Sequence, residues 1–365
     1  MTPEYTMSSL VSPLPRPCIE AFGTRIVTGR HRLQERELFS DTALVALLDH
    51  FPREHLYAHD MGDDPARTDV NRLAQHDGVG GAELLQAVKN GRLWLNVTRI
   101  DRVDGRCRLL IDQLYDALCV QMPAFDPVAC GGTLLISSPH ALVHYHVDGP
   151  SSVLWHVRGR KRVWVYPAID HHFLRRELLE DIFAGARHEF VPYVPALDSG
   201  AEVFDLEPGQ WIAWPQNSPH RISNLDSVNV SLVTEHSTPA SQRRTRLYLA
   251  NRFLRTRLGV SNPSPREEGA AALAKIVLQR VARKLGLDRV ELRHHVAVDR
   301  VVAAAPGGVM PLANGHEAPG VRSIAGLNAS PGGHASMHGP ATAGLVADRS
   351  AQRSAQMSTG TGATS

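Results

Sequence analysis

Three residues, His146, Asp148 and His220, have the types and spacing to hold a catalytic metal. His146 and Asp148 lie two positions apart in an apolar-alternating stretch, so on a β-strand both side chains point to one face. His220 follows Pro219 and opens a second such stretch, His220-Arg221-Ile222-Ser223. Two imidazoles and one carboxylate on one side of a metal leave three adjacent positions open. That arrangement suits iron(II) centres, where a bidentate cosubstrate takes two positions and dioxygen the third. The spacing alone is a weak signal, because the chain has 19 histidines and a His-x-Asp arises among so many by chance. A lone strand histidine is more often exposed or hydrogen-bonded than metal-bound. His144 shares the inward parity of His146 and is a candidate to line the same site. His140, His156, His171, His172, His294 and His295 fit turns, packing or helices better.

The segment after the His-x-Asp narrows the choice. Asp148-Gly149-Pro150 turns the chain, an apolar strand runs from Ser152 to Arg158, Gly159 joins it to the next, and Lys161 opens a strand that ends at Tyr166-Pro167. This run resembles the JmjC-type, cupin-like 2-oxoglutarate oxygenases, especially the branch containing asparaginyl protein hydroxylases. The resemblance continues through Glu207-Pro208-Gly209-Gln210-Trp211-Ile212-Ala213-Trp214-Pro215, Pro219-His220-Arg221-Ile222 and Val228-Asn229-Val230-Ser231-Leu232, and covers roughly residues 90–236. It implies iron(II) on His146, Asp148 and His220, and 2-oxoglutarate as cosubstrate with its distal carboxylate on Lys161. A lysine suits that task as a point charge with a long reach. It also implies a polar residue facing the cosubstrate from the last barrel strand, for which Asn229 is the candidate.

Two places depart from the family pattern. Val143 and His144 stand where many relatives have Thr-Pro, so the threonine contact to the distal carboxylate is lost or passes to His144. Ser152 stands where many relatives have an asparagine near the proximal carboxylate, and keeps a donor on a shorter arm. The implied activity is hydroxylation of an unactivated C–H bond on a peptide or protein side chain or on a small metabolite. Two alternatives stay open: a non-catalytic binding or regulatory protein on the same barrel, and a metal enzyme of that barrel that does not use 2-oxoglutarate.

The elements that must position these residues follow from the same periodicities. Candidate strands at 133–137, 141–147, 152–158, 161–166, 202–205, 210–214, 219–223 and 227–235 are short, apolar and separated by turn residues. Pro208-Gly209 fits the central positions of a type II turn. Eight such strands preceded by helices predict a mainly β protein with helical supports, built on a jelly-roll barrel, the double-stranded β-helix. The supports are a helix from an Asp41 N-cap to before Pro52, one over 82–89, a strand at 93–97 and a helix carrying Leu110, Ile111, Leu114 and Leu118.

Domain limits come from composition. Phe253 is the last aromatic residue, so the main core is expected to end near it. The expected organisation is a flexible N-terminus over 1–20, an oxygenase domain over 21–240 with its barrel at about 132–236, a C-terminal helical region over 241–303, and a disordered tail over 304–365, rich in Ala, Gly, Ser and Pro. In the helical region Ser264-Pro265-Arg266-Glu267 reads as a capping box, followed by a stripe of Leu273, Ile276, Val277, Val281 and Leu285. A second helix is expected from Asp288. The pair either packs on the core or forms a homodimer interface, and the sequence does not choose.

With 43% hydrophobic and 21% charged residues and a net charge of +2, the chain has an ordinary soluble composition and no charge bias toward nucleic acid or membrane. No apolar run reaches transmembrane length, and the proline-rich first 18 residues lack a signal-peptide core. Four scattered cysteines suit a reducing cytoplasm.

Overall fold

A computed structural model describes residues 10–290, 295–303, 305 and 307–319. The eight expected barrel strands are all present: β5 (Ala129–Ser137), β6 (Leu142–His146), β7 (Ser151–Arg158), β8 (Lys161–Val165), β9 (Glu202–Leu206), β10 (Gln210–Ala213), β11 (His220–Asn224) and β12 (Asn229–Ser237). They are preceded by β1 (Val27–Arg30), β2 (Leu56–Asp60), β3 (Arg72–Gln75) and β4 (Leu93–Val97). One sheet contains the run β10-β7-β12-β5, and the other has the order β6-β11-β8-β9. Consecutive barrel strands thus alternate between two antiparallel runs, except that β8 and β9 pair within one sheet, which is the double-stranded β-helix. The larger sheet continues from β5 through β4, β2 and β3.

The two sheets differ in what covers them, and their sequences show it. Strand β8 is buried at Lys161, Val163 and Val165, while Arg162 is exposed and Trp164 half-buried between them. Strand β12 is buried on both faces. Its Val233 packs inside the barrel with Leu135, Leu154, Val163, Ile212 and Trp214. Its Val230 and Leu232 pack outward, in the cluster that also takes residues of the supporting helices. Those helices are α1 (Arg16–Ala21), α2 (Asp41–His50), α3 (Gly81–Asn90), α4 (Ile100–Val103) and α5 (Gly105–Gln121). Helix α2 is capped one residue earlier than expected: Ser40 is the N-cap, its Oγ accepting from the Ala43 amide at 3.2 Å, and Asp41 is the first helical residue. Gly209 has φ +85°, as the second central residue of a type II turn requires.

The termini depart from expectation. Leu10 and Val11 are buried and Val11 bridges His31, so residues 10–20 belong to the folded unit, while 1–9 lie outside the described residues. After α6 (Arg176–Ala184) and α7 (Pro239–Leu258), helix α8 runs over Ala270–Lys284 and starts later than the expected capping box. Glu267 pairs with Arg244 of α7 at 2.6 Å instead of reaching back to Ser264, and Gly269 at φ +92° breaks the chain before the helix. Helix α8 buries Ala272, Ile276, Gln279 and Ala282 and leaves most of the expected stripe outside: Leu273, Val277, Val281 and Leu285 are 49–69% exposed.

No helix follows from Asp288 among the described residues. Instead β13 (His295–Val302) and β14 (Val309–Pro319) form an antiparallel hairpin, with β13 parallel to β3. Residues 309–319, expected in a structureless tail, are therefore a strand. Its ladder is made by backbone groups, so it leaves little side-chain signature. The rest of that tail, residues 320–365, lies outside the described residues.

Candidate metal centre

His146 ends β6, Asp148 follows in the turn to β7, and His220 begins β11, with His146 and His220 directly paired across the strands. A register shift lies beside this pair: Ile222 pairs with Val143, so β6 carries one residue more than β11 over the same span. Such bulges re-aim side chains at functional sites. Ligand atoms of His146, Asp148 and His220 all lie within 4.8 Å of one another, and all three residues are buried. His146 Nε2 is 3.7 Å from Asp148 Oδ1, and His220 Nε2 is 3.6 Å from Asp148 Oδ2.

Backbone carbonyls set the imidazoles. His146 Nδ1 donates to the His144 carbonyl at 2.7 Å, and His220 Nδ1 donates to the Ser218 carbonyl at 3.1 Å. A carbonyl can only accept, so each Nδ1 carries a proton and Nε2 is the nitrogen each imidazole offers to a metal. His146 Nε2 and Asp148 Oδ1 have no hydrogen-bond partner in the buried site. Burial, then the neighbouring His220, push the His146 pKa far below its ordinary value, which keeps the imidazole neutral. These donors fit a divalent cation bound by two imidazoles and one carboxylate.

Further contacts hold the ligands in place. The Ser152 hydroxyl donates to Asp148 Oδ2 at 2.8 Å. Asn217 Nδ2 donates to the Asp148 carbonyl and Gln216 Nε2 to the Gly149 carbonyl, both at 2.9 Å. Asn217 has φ +67°, a backbone region that asparagine tolerates better than most residues. The chain at 189–191 lies along the end of β6, where Val147 N donates to Glu189 O. This sets the Phe190 ring 5.5 Å from His144 and 6.1 Å from His146. The Trp214 ring lies 4.3 Å from His220.

Lys161 lies four residues along β8 from Val165, the partner of His220; it is buried with 3% exposure and has the inward parity shared with Val163 and Val165. Among the described residues its ammonium has neither an ion pair nor a hydrogen bond, and burial alone pulls its pKa down to about 7. His156, beside it, is satisfied within the fold by Ser231 Oγ and the Gly159 carbonyl, and is held neutral with a pKa of about 3 by burial first and Lys161 second. Asn229 Nδ2 donates to the Ser227 carbonyl at 2.8 Å and the side chain lies over Gly159. That is the Lys161 end of the barrel, since Lys161 pairs with Asn224 while Val165 pairs with the ligand His220.

The structure therefore brings His146, Asp148 and His220 together. It turns Ser152 onto Asp148, uses the His144 carbonyl to orient His146, and keeps Asn229 at the far end. The reading of residue types did not find Glu189, Phe190, Gln216, Asn217 or Glu235. The first four lie in irregular chain with no period to mark them. Glu235 has an inward parity, set in register with Ser152, that could have been read.

No family profile matches the chain, and no curated protein matches it in sequence. Solved structures match in shape. A structure of Escherichia coli YcfD shares 14% identity, over 75% of this chain and 69% of that one, with a TM-score of 0.42. A second, described as the ribosomal oxygenase YcfD in complex with cobalt and 2-oxoglutarate, shares 15% identity over 71% and 63%, with a TM-score of 0.38. The DMSP lyase DddQ from Ruegeria pomeroyi shares 11% over 30% and 40%, with a TM-score of 0.20. At TM-scores this low the likenesses carry no weight, and the fold stands on its own strand order.

Proposed function

We propose that the chain is an iron(II)- and 2-oxoglutarate-dependent oxygenase that hydroxylates an unactivated C–H bond. The observation that carries this reading is the unpaired cation of Lys161 inside the barrel that holds the triad. A buried ammonium without a counter-ion is costly. A dicarboxylate held at one end by a metal on His146, Asp148 and His220 and at the other by Lys161 would supply the missing anion.

His146, Asp148 and His220 would hold the iron, with Ser152, His144 and Ser218 fixing their orientation. Lys161 would pair with the distal carboxylate of 2-oxoglutarate. His144 and Asn229 are the further candidates to line that pocket. Bound iron(II) would supply the activation of dioxygen, with 2-oxoglutarate converted to succinate and carbon dioxide. The barrel walls at Leu154, Val163, Ile212 and Trp214 exclude water around it. The substrate is a peptide or protein side chain or a small metabolite.

The test is an anaerobic titration of the iron(II)-loaded protein with 2-oxoglutarate. A visible charge-transfer band in the wild type, absent in Asp148→Ala, supports the reading, together with succinate formation that the variant loses. Metal binding without the band would instead favour a barrel that does not use 2-oxoglutarate.

The exposed ridge of α8 supports a homodimer through the C-terminal helices. Leu273, Val277, Val281 and Leu285 recur every four residues on one line of the helix and are left uncovered by α7. Among the described residues no disulfide joins any of the four cysteines, which suits a reducing cytoplasm. Among the described residues no helix is long and apolar enough to cross a membrane.

A further inference from the structure

Glu235 is a buried acid with no part in the chemistry described so far. It lies on β12, 4% exposed, in register with Ser152 of β7 and Gly131 of β5. It shares the inward parity of Val233, which packs in the barrel interior. Directly opposed residues have Cβ atoms about 5 Å apart, and the Ser152 hydroxyl already touches Asp148. The Glu235 side chain therefore enters the barrel from the strand next to the metal centre. Neither of its carboxyl oxygens has a hydrogen-bond partner among the described residues.

We propose that Glu235 is a positioning residue that stands in the barrel as a neutral carboxylic acid and donates its O–H to the metal-chelating carboxylate of 2-oxoglutarate. This rests on the reading of the site as a 2-oxoglutarate centre. Three observations lead to it. Ser152, the polar neighbour in register with Glu235, has one hydroxyl hydrogen and spends it on Asp148, so it cannot also serve the cosubstrate. Burial raises the Glu235 pKa well above the carboxylate range, and the carboxylates of Asp148, Glu189 and Asp101 raise it further. In the loaded site the metal dication and the Lys161 cation are balanced by Asp148 and a cosubstrate dianion, so no net positive charge is left to favour ionisation of Glu235. An ionised Glu235 would stand unpaired beside Asp148 and Glu189, whereas a protonated one supplies a hydrogen-bond donor.

The opposite charge state would serve a different end, an ionised Glu235 pairing with a cationic group of the substrate, and the test separates the two. Iron(II)-loaded protein is titrated anaerobically with 2-oxoglutarate and followed by its charge-transfer band, and manganese(II)-loaded protein is titrated by calorimetry. Neither readout requires turnover. Loss of one buried hydrogen bond in Glu235→Ala or Glu235→Leu should weaken 2-oxoglutarate binding about tenfold. Glu235→Gln, which keeps a donor in place and cannot ionise, should recover the affinity to within roughly threefold of wild type. The leucine variant removes an unpartnered polar group, so it keeps its thermal midpoint and carries the test if the alanine variant does not fold. A glutamine variant as weak as alanine overturns the proposal in favour of a required negative charge. Wild-type affinity in the alanine and leucine variants overturns it by showing no contact. Absence of the band in the wild type would sink the cosubstrate reading itself, a result distinct from either.

Discussion

The Ser152 hydroxyl and the Asp148 carboxylate form a single oriented pair: Oγ donates to Oδ2 at 2.8 Å, and Oδ1 is left without a partner beside His146 Nε2. The serine thus acts on the metal ligand, a different task from the cosubstrate contact that its place in the sequence implies. Its loss should loosen the carboxylate. Ser152→Ala is expected to lower cobalt(II) or manganese(II) affinity roughly 10–100-fold, read by metal titration of the apo protein. An unchanged dissociation constant would mean that Gln216 and Asn217 alone orient the turn.

Lys161 should govern cosubstrate affinity in a pH-dependent way. Free of ligand its pKa is about 7, while a bound dicarboxylate holds it protonated, so binding takes up a proton at higher pH. Wild-type affinity for 2-oxoglutarate should therefore fall as pH rises above about 7, approaching roughly tenfold per unit. Lys161→Arg, which stays charged, should show little of this slope, and Lys161→Met should lose about 100-fold in affinity. Calorimetry in two buffers of different ionisation enthalpy measures the proton directly.

The same residue should destabilise the ligand-free fold. Its folded pKa, about 7, lies below the ordinary 10.5. Between those values the unfolded chain holds a proton that the folded chain has released, so the Lys161 contribution to stability rises with pH across that window and is most unfavourable below it. Lys161→Met removes the contribution. The stability difference between variant and wild type should favour the variant most below pH ~7 and shrink by up to about 1.4 kcal/mol per unit above it. Urea unfolding at several pH values checks this, and a pH-independent difference would contradict it.

Much of the centre was legible because the chemistry and the strand period coincide. His146 and His220 fall where period two points them inward, Asp148 follows in the turn just past the end of β6, and the barrel strands are broken by turn residues such as Gly159 and Pro208-Gly209. Glu235 escaped notice because an acid in a half-alternating strand reads as a solvent-facing residue, while β12 is buried on both faces. Helix α8 misled for a related reason. Its largest apolar residues define the stripe, but the buried face uses Ala272 and Ala282, with the buried Gln279 satisfied by Asp288 at 2.6 Å. The β13–β14 hairpin escaped because sheet pairing by backbone needs no apolar period.

On the outer face of β11, Arg221 stacks 3.4 Å over Trp164 and pairs with Asp198, which also accepts from Tyr166 and Tyr193. This cluster ties the stretch at 195–200 to the strand that carries His220. Arg221→Leu should destabilise the protein by about 2 kcal/mol, below the fully buried range because Asp198 is partly exposed. Thermal unfolding measures it, and no change in midpoint would show that the network adds nothing.

If the ridge of α8 joins two copies, Val277→Glu and Val281→Glu together should shift sedimentation from dimer to monomer while 2-oxoglutarate binding by the iron-loaded protein persists. A wild type that sediments as a monomer at high concentration would dispose of the homodimer.

The position of β12 has a consequence for how the molecule assembles. It is the last of the eight barrel strands to be synthesised, yet it inserts between β5 and β7 in the middle of the larger sheet. Those two strands have no partner in each other, and until residue 237 is available the wall beside Ser152 is missing. Closure depends on contacts distant in sequence, a topology associated with slow folding. During translation His146, Asp148 and His220 are all made before the strand that completes their enclosure, so lasting capture of a metal ion there would be timed by the arrival of β12.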